Sequence, residues 1–471
     1  AHNQRVTEPD ALIDDGYTFG GWFINKELTT VYSSTATLNE DTTIYAYWTE
    51  ENKPGDFTYS GTSAITVSAY KGTSTTMWIP AYIAGVPVTT IPASAFKNQT
   101  NLIKVVVPDF ITTLGYGIFA GCTSIEELTV PFIPYHTLDN LFYESNSQYS
   151  DNQHVPASLK KVSITSEETI KNYSFQKCKY IEEINIPANV TSIGYDAFYE
   201  CSALLRLNSE VDGVFNVPEG VTEIKAYAFY NCLLVEIVNT GESLSSIGNY
   251  AFTGCKSLVQ FTIPETVETI GEYAFSGCIS ITKINSTMDG ELNIPFGVKT
   301  INTCAFKGLA NITKVYIPNS VTDCGYGVFE GCNSIEEMIL PFASRRFTDD
   351  YDLNYRTFDS LFVTSSYSNW KNTHVPSSIR KVTITKQTII SEATFYNCQY
   401  IEEITIPSAT TSIGPSAFYG CSALVRLNST TDGVFNVPDG VKVIKSSLFY
   451  NCLLAETINI SNSATTIESY A

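Results

Sequence analysis

The sequence predicts a mainly-β solenoid, in which short parallel strands stack coil upon coil, and two observations lead to this fold class. First, phenylalanine recurs at intervals of 23, 31 or 33 residues, at positions that include Phe96, Phe198, Phe229, Phe252, Phe275, Phe306 and Phe418. Second, the segments between these positions alternate apolar and polar residues and then end on proline, as in 181–187 and 401–407. Alternation with a period of two is typical of half-buried strands, and proline ends a strand because it has no N–H to donate.

Each repeat is interpreted as one coil, made of a short strand, a turn, an irregular or 3₁₀ segment that carries the Ala-Phe pair, and a return. A single coil cannot bury its own apolar side, so the neighbouring coils must complete the core. The Phe positions and their Leu-Phe equivalents predict about fourteen coils over residues 57–471, the last of them incomplete. Because the chain stops where the next Phe is due, we expect it to belong to a longer protein.

A longer duplication is superimposed on the repeat. Residues 115–127 reappear as 325–337 at an offset of 210, and residues 178–234 reappear as 398–454 at an offset of 220. The additional ten residues lie after Pro341, compared with the equivalent Pro131. The duplication therefore predicts two related insertions, 134–153 and 343–373.

The cysteines follow the same period. Ten of the twelve lie three residues after the repeat Phe, which predicts a ladder of small buried thiols. Disulfide pairing and metal binding are the alternatives, but no CxxC pair is present and the spacing is periodic, not clustered. Cys324 takes an apolar core position. Cys304 takes a variable position, so we expect it to be the exposed thiol.

The charge of the chain excludes several classes of partner. The formal net charge is −20, from 48 acidic and 28 basic side chains. An acidic surface repels phosphate groups, so neither nucleic acid nor an anionic membrane is an expected partner. No apolar run approaches the roughly 18–20 residues that span a bilayer. The first residues also lack the apolar region of a signal peptide, so neither a signal nor an anchor is expected within this chain.

The sequence contains no recognisable catalytic, cofactor or metal motif, and we expect a protein that is not an enzyme. HExxH, GxSxG and phosphate-binding glycine motifs are absent. Of the four histidines, His154 and His374 are copies of one position, and neither has a cysteine or carboxylate at metal-ligand spacing. The adjacent Glu182 and Glu183 point to opposite sides of a strand and cannot converge as an acid–base pair.

The repeat unit can be written I-P-x-x-V-x-x-I-G-x-x-A-F-x-x-C-x-x-L-x-x-I-x-I-P. This unit closely resembles the BspA-like leucine-rich repeat of bacterial surface proteins, over about 57–471. The first 49 residues resemble a different family, the Listeria–Bacteroides repeat, which implies a small β-grasp-like module with Trp22, Tyr45 and Trp48 in its core. Residues 50–56, which contain Pro54 and Gly55, are interpreted as the linker.

Both resemblances imply a bacterial protein that is extracellular or exposed at the cell surface. The function they imply is binding, as an adhesin that contacts a protein of a host matrix or of a neighbouring cell. A monomer is expected. Two alternatives remain: a surface protein that binds glycans, and a structural spacer of the cell envelope without a ligand of its own.

Two groups of residues are predicted to bind the partner. The first consists of aromatic residues in the insertions, because interface anchors are often aromatic side chains on loops: Tyr135, Tyr143, Tyr149, Tyr351, Tyr355, Tyr367 and Trp370. The second consists of polar strand residues, Glu126, Glu183, Glu336 and Glu403. The alternatives are loops that fold back over the array and a sheet face that is merely solvated.

Overall fold

A computed structural model describes residues 18–23, 45–49, 53–145, 151–343, 357–364 and 372–471. The chain divides into two compact units, Ala1–Ser243 and Leu244–Ala471. The repeats of each unit form a β-solenoid, and the two units together contain about 16 turns, which confirms the predicted fold class. The predicted boundaries at residues 49 and 57 stay a prediction.

In each unit, one long parallel sheet collects a strand from every coil. In the first unit its strands are Thr76–Trp78, Lys104–Val106, Glu127–Val130, Lys161–Ile164, Glu183–Asn185, Arg206–Leu207, Val214–Asn216 and Ile237–Asn239. In the second unit they are Gln260–Phe261, Lys283–Ile284, Glu291–Asn293, Lys314–Tyr316, Glu337–Leu340, Lys381–Ile384, Glu403–Thr405, Arg426–Leu427, Val434–Asn436 and Thr457–Asn459. Neighbouring strands pair in parallel, with equivalent repeat positions opposite one another.

Three strands of this sheet are not accompanied by a Phe turn of their own. Val214–Asn216, Glu291–Asn293 and Val434–Asn436 each follow the preceding strand after a short loop, and Phe215 pairs directly with Leu207. Phe215 is fully buried, so the short loop adds a strand to the sheet and a side chain to the core. Intervals of 31 residues include these strands, and a count of Phe positions therefore misses them.

A second set of short parallel strands lies where the repeat has its Ile before the Ala-Phe turn, and the sequence did not indicate it. In the first unit Thr169–Ile170, Ser192–Ile193 and Glu223–Ile224 pair in turn. In the second unit Ser246–Ile247, Thr269–Ile270, Thr300–Ile301 and Asp323–Cys324 pair in turn, as do Ile389–Ile390 with Ser412–Ile413 and Val443–Ile444 with Thr466–Ile467. A Cβ added to Gly271 would lie 2.4 Å from the carbonyl carbon of Gly248, so this glycine allows two coils to approach closely.

Stacked phenylalanine rings fill the interior of both units. Phe198 is fully buried, and its ring stacks on those of Phe175 and Phe229 at 5.3 and 5.1 Å between centroids. In the second unit the ring of Phe306 stacks on that of Phe275 at 5.7 Å. These spacings suit offset aromatic stacking and follow from the roughly 4.8 Å between adjacent strands. The predicted Phe core is therefore confirmed.

Most Ala-Phe segments are hydrogen-bonded turns, which corresponds to the irregular alternative of the two that were predicted. Helices of the 3₁₀ type are described at Pro54–Asp56, Leu138–Leu141 and Phe358–Leu361, the last two within the insertions. The turn requires a left-handed residue two positions after Phe, where Gly277 has a φ of 74° and Asn231 a φ of 54°. Glycine and asparagine tolerate this backbone conformation better than other residues, which explains their recurrence at this position.

The cysteine ladder is buried as predicted, apart from the partly exposed Cys452. Its thiols donate to the Phe carbonyl of a neighbouring coil, as from Cys201 Sγ to Phe175 O at 3.0 Å and from Cys278 Sγ to Phe252 O at 3.1 Å. The predicted exposure of Cys304 is wrong, because its side chain is fully buried. Side chains of two neighbouring coils cover it: Tyr273, which forms a hydrogen bond with the thiol, and Glu330, whose Oε2 lies 3.8 Å from Sγ.

Antiparallel strands precede the first regular coils. Phe57–Ser60 pairs antiparallel with Ile65–Tyr70, which in turn pairs in parallel with Val86–Ile91. Tyr82–Ile83 pairs antiparallel with the start of Val86–Ile91, and the end of Val86–Ile91 pairs in parallel with Thr113–Leu114. Nearer the N-terminus, Thr18–Phe23 and Tyr45–Thr49 form an antiparallel pair. Tyr45 is half-buried, whereas the side chains of Trp22 and Trp48, predicted to form a core here, lie outside the described residues.

Candidate binding surfaces

The outward face of the long sheet carries a row of alternating charges in the first unit. Parallel register places Lys104, Glu127, Lys161, Glu183 and Arg206 side by side on successive strands. The ammonium of Lys104 lies 2.9 Å from a Glu127 oxygen, and the two oxygens of Glu183 receive Lys161 at 2.7 Å and Arg206 at 2.9 Å. Burial acts to raise the pKa of Glu183, but hydrogen bonds from Lys161, Asn185 and Arg206 outweigh it and lower the pKa.

The same row is repeated in the second unit. Lys314, Glu337, Lys381, Glu403 and Arg426 lie side by side, with ion-pair distances of 3.1–3.8 Å. We call these two rows the charge ladders. Each charge has a neighbour of opposite sign, and the arginine that ends each ladder also pairs with an aspartate, Asp212 or Asp432. The ladders therefore favour this stacking register over one that aligns like charges.

The predicted strand glutamates thus have two different environments. Glu183 and Glu403 belong to the charge ladders and are held by arginine. Glu126 and Glu336 lie one position before the ladder glutamates and are exposed. Of the four, only Glu126 and Glu336 present an exposed side chain to a partner.

The base of the first insertion is held by a buried carboxylate. Asp139 is fully buried; its Oδ1 accepts the backbone N–H of His154 at 2.6 Å, and its Oδ2 lies 2.9 Å from His154 Nδ1. The backbone N–H of Asp139 donates to Asn152 Oδ1 at 2.7 Å, and Asn152 Nδ2 donates to Gln176 O at 2.6 Å. Hydrogen bonds to a charged group are stronger than neutral ones, so both ends of the loop are fixed to the solenoid.

The second insertion has the same clamp. Asp359 is fully buried and accepts the backbone N–H of His374 at 2.7 Å, with its Oδ2 2.8 Å from His374 Nδ1. Asn372 Oδ1 accepts the backbone N–H of Asp359 at 2.7 Å. Sequence reasoning missed these pairs because each Asp precedes its His by 15 residues. The signal was the pattern D-x₁₂-N-x-H, which occurs at both insertions.

A second clamp differs between the two copies. The backbone N–H of Ile133 donates to Glu167 Oε1 at 3.1 Å, and Lys171 Nζ lies 2.7 Å from the same oxygen. In the second copy Gln387 Oε1 accepts the backbone N–H of Ala343 at 2.9 Å. Burial raises the pKa of Glu167, and Lys171 offsets this only in part.

Two of the aromatic residues predicted to bind a partner lie at the base of the first insertion. The ring of Tyr135 stacks on that of Tyr116 at 3.9 Å, and the ring of Tyr143 stacks on that of His154 at 4.1 Å. Both tyrosines remain about two-fifths exposed, at 43% and 37%. The other predicted aromatics, Tyr149, Tyr351, Tyr355, Tyr367 and Trp370, lie outside the described residues.

Rows of stacked tyrosines, which were not predicted from the sequence, line the turn edge. In the first unit the rings of Tyr199 and Tyr230 stack at 4.8 Å. In the second unit Tyr419 stacks on Tyr396 at 4.6 Å and on Tyr450 at 5.0 Å. Burial and nearby acidic groups raise the pKa of Tyr199 to about 12. The recurring Phe-Tyr pair was the available signal.

Comparison with protein families accounts for the repeat. The family model described as BspA type leucine rich repeat region matches residues 89–210, 168–289, 289–382 and 388–471. The chain belongs to this family. In the BspA-type chain, residues 1–47 match the Listeria-Bacteroides repeat domain, so both predicted resemblances are confirmed. No curated protein sequence matches the chain significantly.

Several solved structures are similar to the BspA-type chain. A leucine-rich repeat protein from Bacteroides ovatus is 22% identical with a TM-score of 0.46, over 88% of this chain and 89% of that one. A leucine rich cell surface protein from Faecalibacterium prausnitzii is 24% identical with a TM-score of 0.34, over 81% and 94%. The pneumococcal vaccine antigen PcpA is 15% identical with a TM-score of 0.33, over 75% and 92%.

Two further observations concern the described part of the BspA-type chain. Within it, no three His, Cys, Asp or Glu side chains are grouped so that they could hold a metal ion. None of its helices has the length and apolar character needed to cross a membrane.

Proposed function

We propose that this BspA-type chain is a non-enzymatic binding protein of the bacterial surface, and that it acts as a monomeric adhesin for a protein of a host matrix or a neighbouring cell. The observation that carries the proposal is the duplicated clamp. A buried aspartate closes the base of each insertion through a histidine and an asparagine, in both copies. Binding residues are often found on loops that a rigid scaffold positions.

The insertions support this role better than the charge ladders do. Tyr143 is partly exposed on a ring stack that fixes its position, and ordering such a side chain on binding therefore costs little entropy. The ladder side chains would instead have to exchange ion pairs within the sheet for contacts with a partner. Glu126 and Glu336 are exposed beside the ladders and form a secondary candidate surface.

The proposal is tested by shortening the insertions while their clamps are kept. Residues 145–150 and the equivalent 365–370 are each replaced by two glycines, and Tyr143 is replaced by alanine, which leaves both Asp–His–Asn clamps in place. Wild type and variant are passed over an array of extracellular-matrix proteins. We expect wild type to bind at least one protein specifically, and the shortened variant to lose that binding with an unchanged circular dichroism spectrum.

A matched control separates the two candidate surfaces. The double variant Glu126→Gln and Glu336→Gln alters the sheet face without touching the insertions, and we expect it to bind as wild type does. Binding lost in this variant but kept in the shortened one would place the site on the sheet. Absence of specific binding by wild type would contradict the adhesin role and favour the structural spacer.

A further inference from the structure

A similar cavity lies at the base of each of the two insertions. In the first unit a cavity of about 440 Å³ lies between residues 151–155 and 177–181. In the second unit a cavity of about 220 Å³ lies between residues 372–375 and 397–401. Each residue that lines the second cavity has its counterpart in the first, 220 positions earlier. The duplication thus produced the same cavity in both units.

Both cavities combine an apolar floor with a polar rim. The floor of the first includes Cys178 and Ile181, which are buried, and Tyr180 lies at its mouth with 53% of its surface exposed. In the second cavity Ile401 is buried and Tyr400 is 50% exposed. A concave site with an apolar interior, an aromatic ring and a few polar groups is the usual form of a small-molecule site.

The walls of the cavities are fixed by the insertion clamps. Asn152 lines the first cavity and spans from the backbone of Asp139 to Gln176 O, whereas Asn372 lines the second and reaches Tyr396 O at 2.7 Å. Because these amides are hydrogen-bonded at both ends, the cavities keep their shape without a ligand. A preorganised site loses little entropy when a ligand binds.

The charges at the two rims differ. In the first cavity Lys177 is paired with Asp151 at 2.9 Å, Glu200 is hydrogen-bonded by Tyr199, and Lys179 is exposed at the mouth. The second cavity has Asn397 and Gln399 in place of the two lysines. Lys177 and Asp151 neutralise each other, so the first rim presents the Lys179 ammonium and the Glu200 carboxylate, whereas the second rim presents amides.

We propose that both cavities bind a single saccharide residue, an acidic one in the first unit and an uncharged one in the second. A pyranose ring has a face of C–H groups that packs on a tyrosine ring and an edge of hydroxyls that hydrogen-bonds to amides and ammonium groups. Lys179 pairs with the carboxylate of a hexuronic acid, and Gln399 takes hydroxyls of a neutral sugar. This activity goes beyond the proposed protein partner and does not depend on it.

The test uses the full chain and methyl glycosides of neutral hexoses, N-acetylhexosamines and hexuronic acids, observed by saturation-transfer NMR and titration calorimetry. We expect wild type to bind one hexuronate per chain. Lys179→Gln should weaken hexuronate binding at least tenfold, and Gln399→Lys should raise the stoichiometry to two. The double variant Tyr180→Ala and Tyr400→Ala should bind no glycoside, whereas Tyr195→Ala, at an exposed tyrosine outside the cavities, should bind as wild type does.

The proposal is overturned if no glycoside binds wild type, if the double tyrosine variant binds normally, or if Lys179→Gln keeps full hexuronate affinity. The variant with shortened insertions retains residues 151–155 and 372–375 and should still bind saccharide. Loss of protein binding in that variant, with saccharide binding kept, separates the two proposals. A shared loss of both activities would contradict the cavity as an independent site.

Discussion

Replacement of one core phenylalanine by alanine measures how far the stacked core holds each unit together. Phe275 is fully buried, and its ring contacts those of Phe252 at 5.5 Å, Phe261 at 4.9 Å and Phe306 at 5.7 Å. These partners come from three other positions in the stack. The variant Phe275→Ala therefore leaves a cavity that neighbouring coils cannot fill without breaking their own strand pairs.

The expected cost follows from the burial and the ring contacts. Truncation of a buried phenylalanine to alanine costs about 3–5 kcal/mol. We expect Phe275→Ala to lie in the upper half of this range, because each aromatic pair contributes roughly 0.5–1.5 kcal/mol beyond the buried area. In a repeat array the loss should be greatest in the coils that contact the cavity.

Hydrogen exchange followed by mass spectrometry is the suitable assay, because it reports the stability of individual coils. Amides around residue 275 and in the adjacent coils should lose protection, and the urea midpoint should fall. Phe296→Ala is the matched control, since Phe296 is 64% exposed and the same atoms are removed. If the free energies of unfolding of the two variants differ by less than about 1 kcal/mol, the stacked-core reasoning is refuted.

Three further predictions concern charge and burial. Glu337→Lys should destabilise the second unit by ~1–2 kcal/mol at low salt and less at high salt, because it places three lysines in a row. Urea unfolding measures the change, and an unchanged midpoint would contradict the charge ladder. In thiol labelling at pH 8, Cys304 and Cys452 should react slowly until urea is added, because burial raises their pKa values to about 11 and about 12. Cys452 should react before Cys304 because its side chain is partly exposed, whereas that of Cys304 is fully buried; rapid labelling of native Cys304 would contradict its burial. The raised pKa of Glu167 means that the folded state favours its protonated form, so wild type should gain stability relative to Glu167→Gln as pH falls through that raised pKa toward about 4.3. Urea midpoints at pH 4 and 7 measure the gain, and the natural Gln387 at the equivalent site indicates that the substitution is tolerated.

Much of the architecture could be predicted from the sequence, because a solenoid is built from local repeats. The recurring Phe and the alternating strands repeat once per coil, so their spacing along the chain indicates how the coils stack. The fold class, the Phe core and the cysteine ladder could therefore all be predicted. The three additional strands could not be predicted, since each follows a short loop within a Phe-to-Phe interval that also contains a full coil. The second row of strands escaped notice because each is only two residues long.

The candidate sites were less accessible, because they depend on contacts between distant residues. The aromatic insertions could be located by composition. The pairing of Asp139 with His154 could not be deduced from either residue alone, since the two are brought together only when the loop closes. Sequence position also misled at Cys304, where burial is produced by Tyr273 and Glu330 of other coils.

What the sequence by itself determined is the periodic part of the protein: one coil per repeat, with its Phe and its thiol inside. The physical reason is that these residues face the same neighbours in every coil, so a local pattern is sufficient. The tertiary structure decided which charges neutralise one another, how the insertions are clamped and where the cavities open. Those features arise between coils, where residues 15 to 45 positions apart meet only after the chain has stacked.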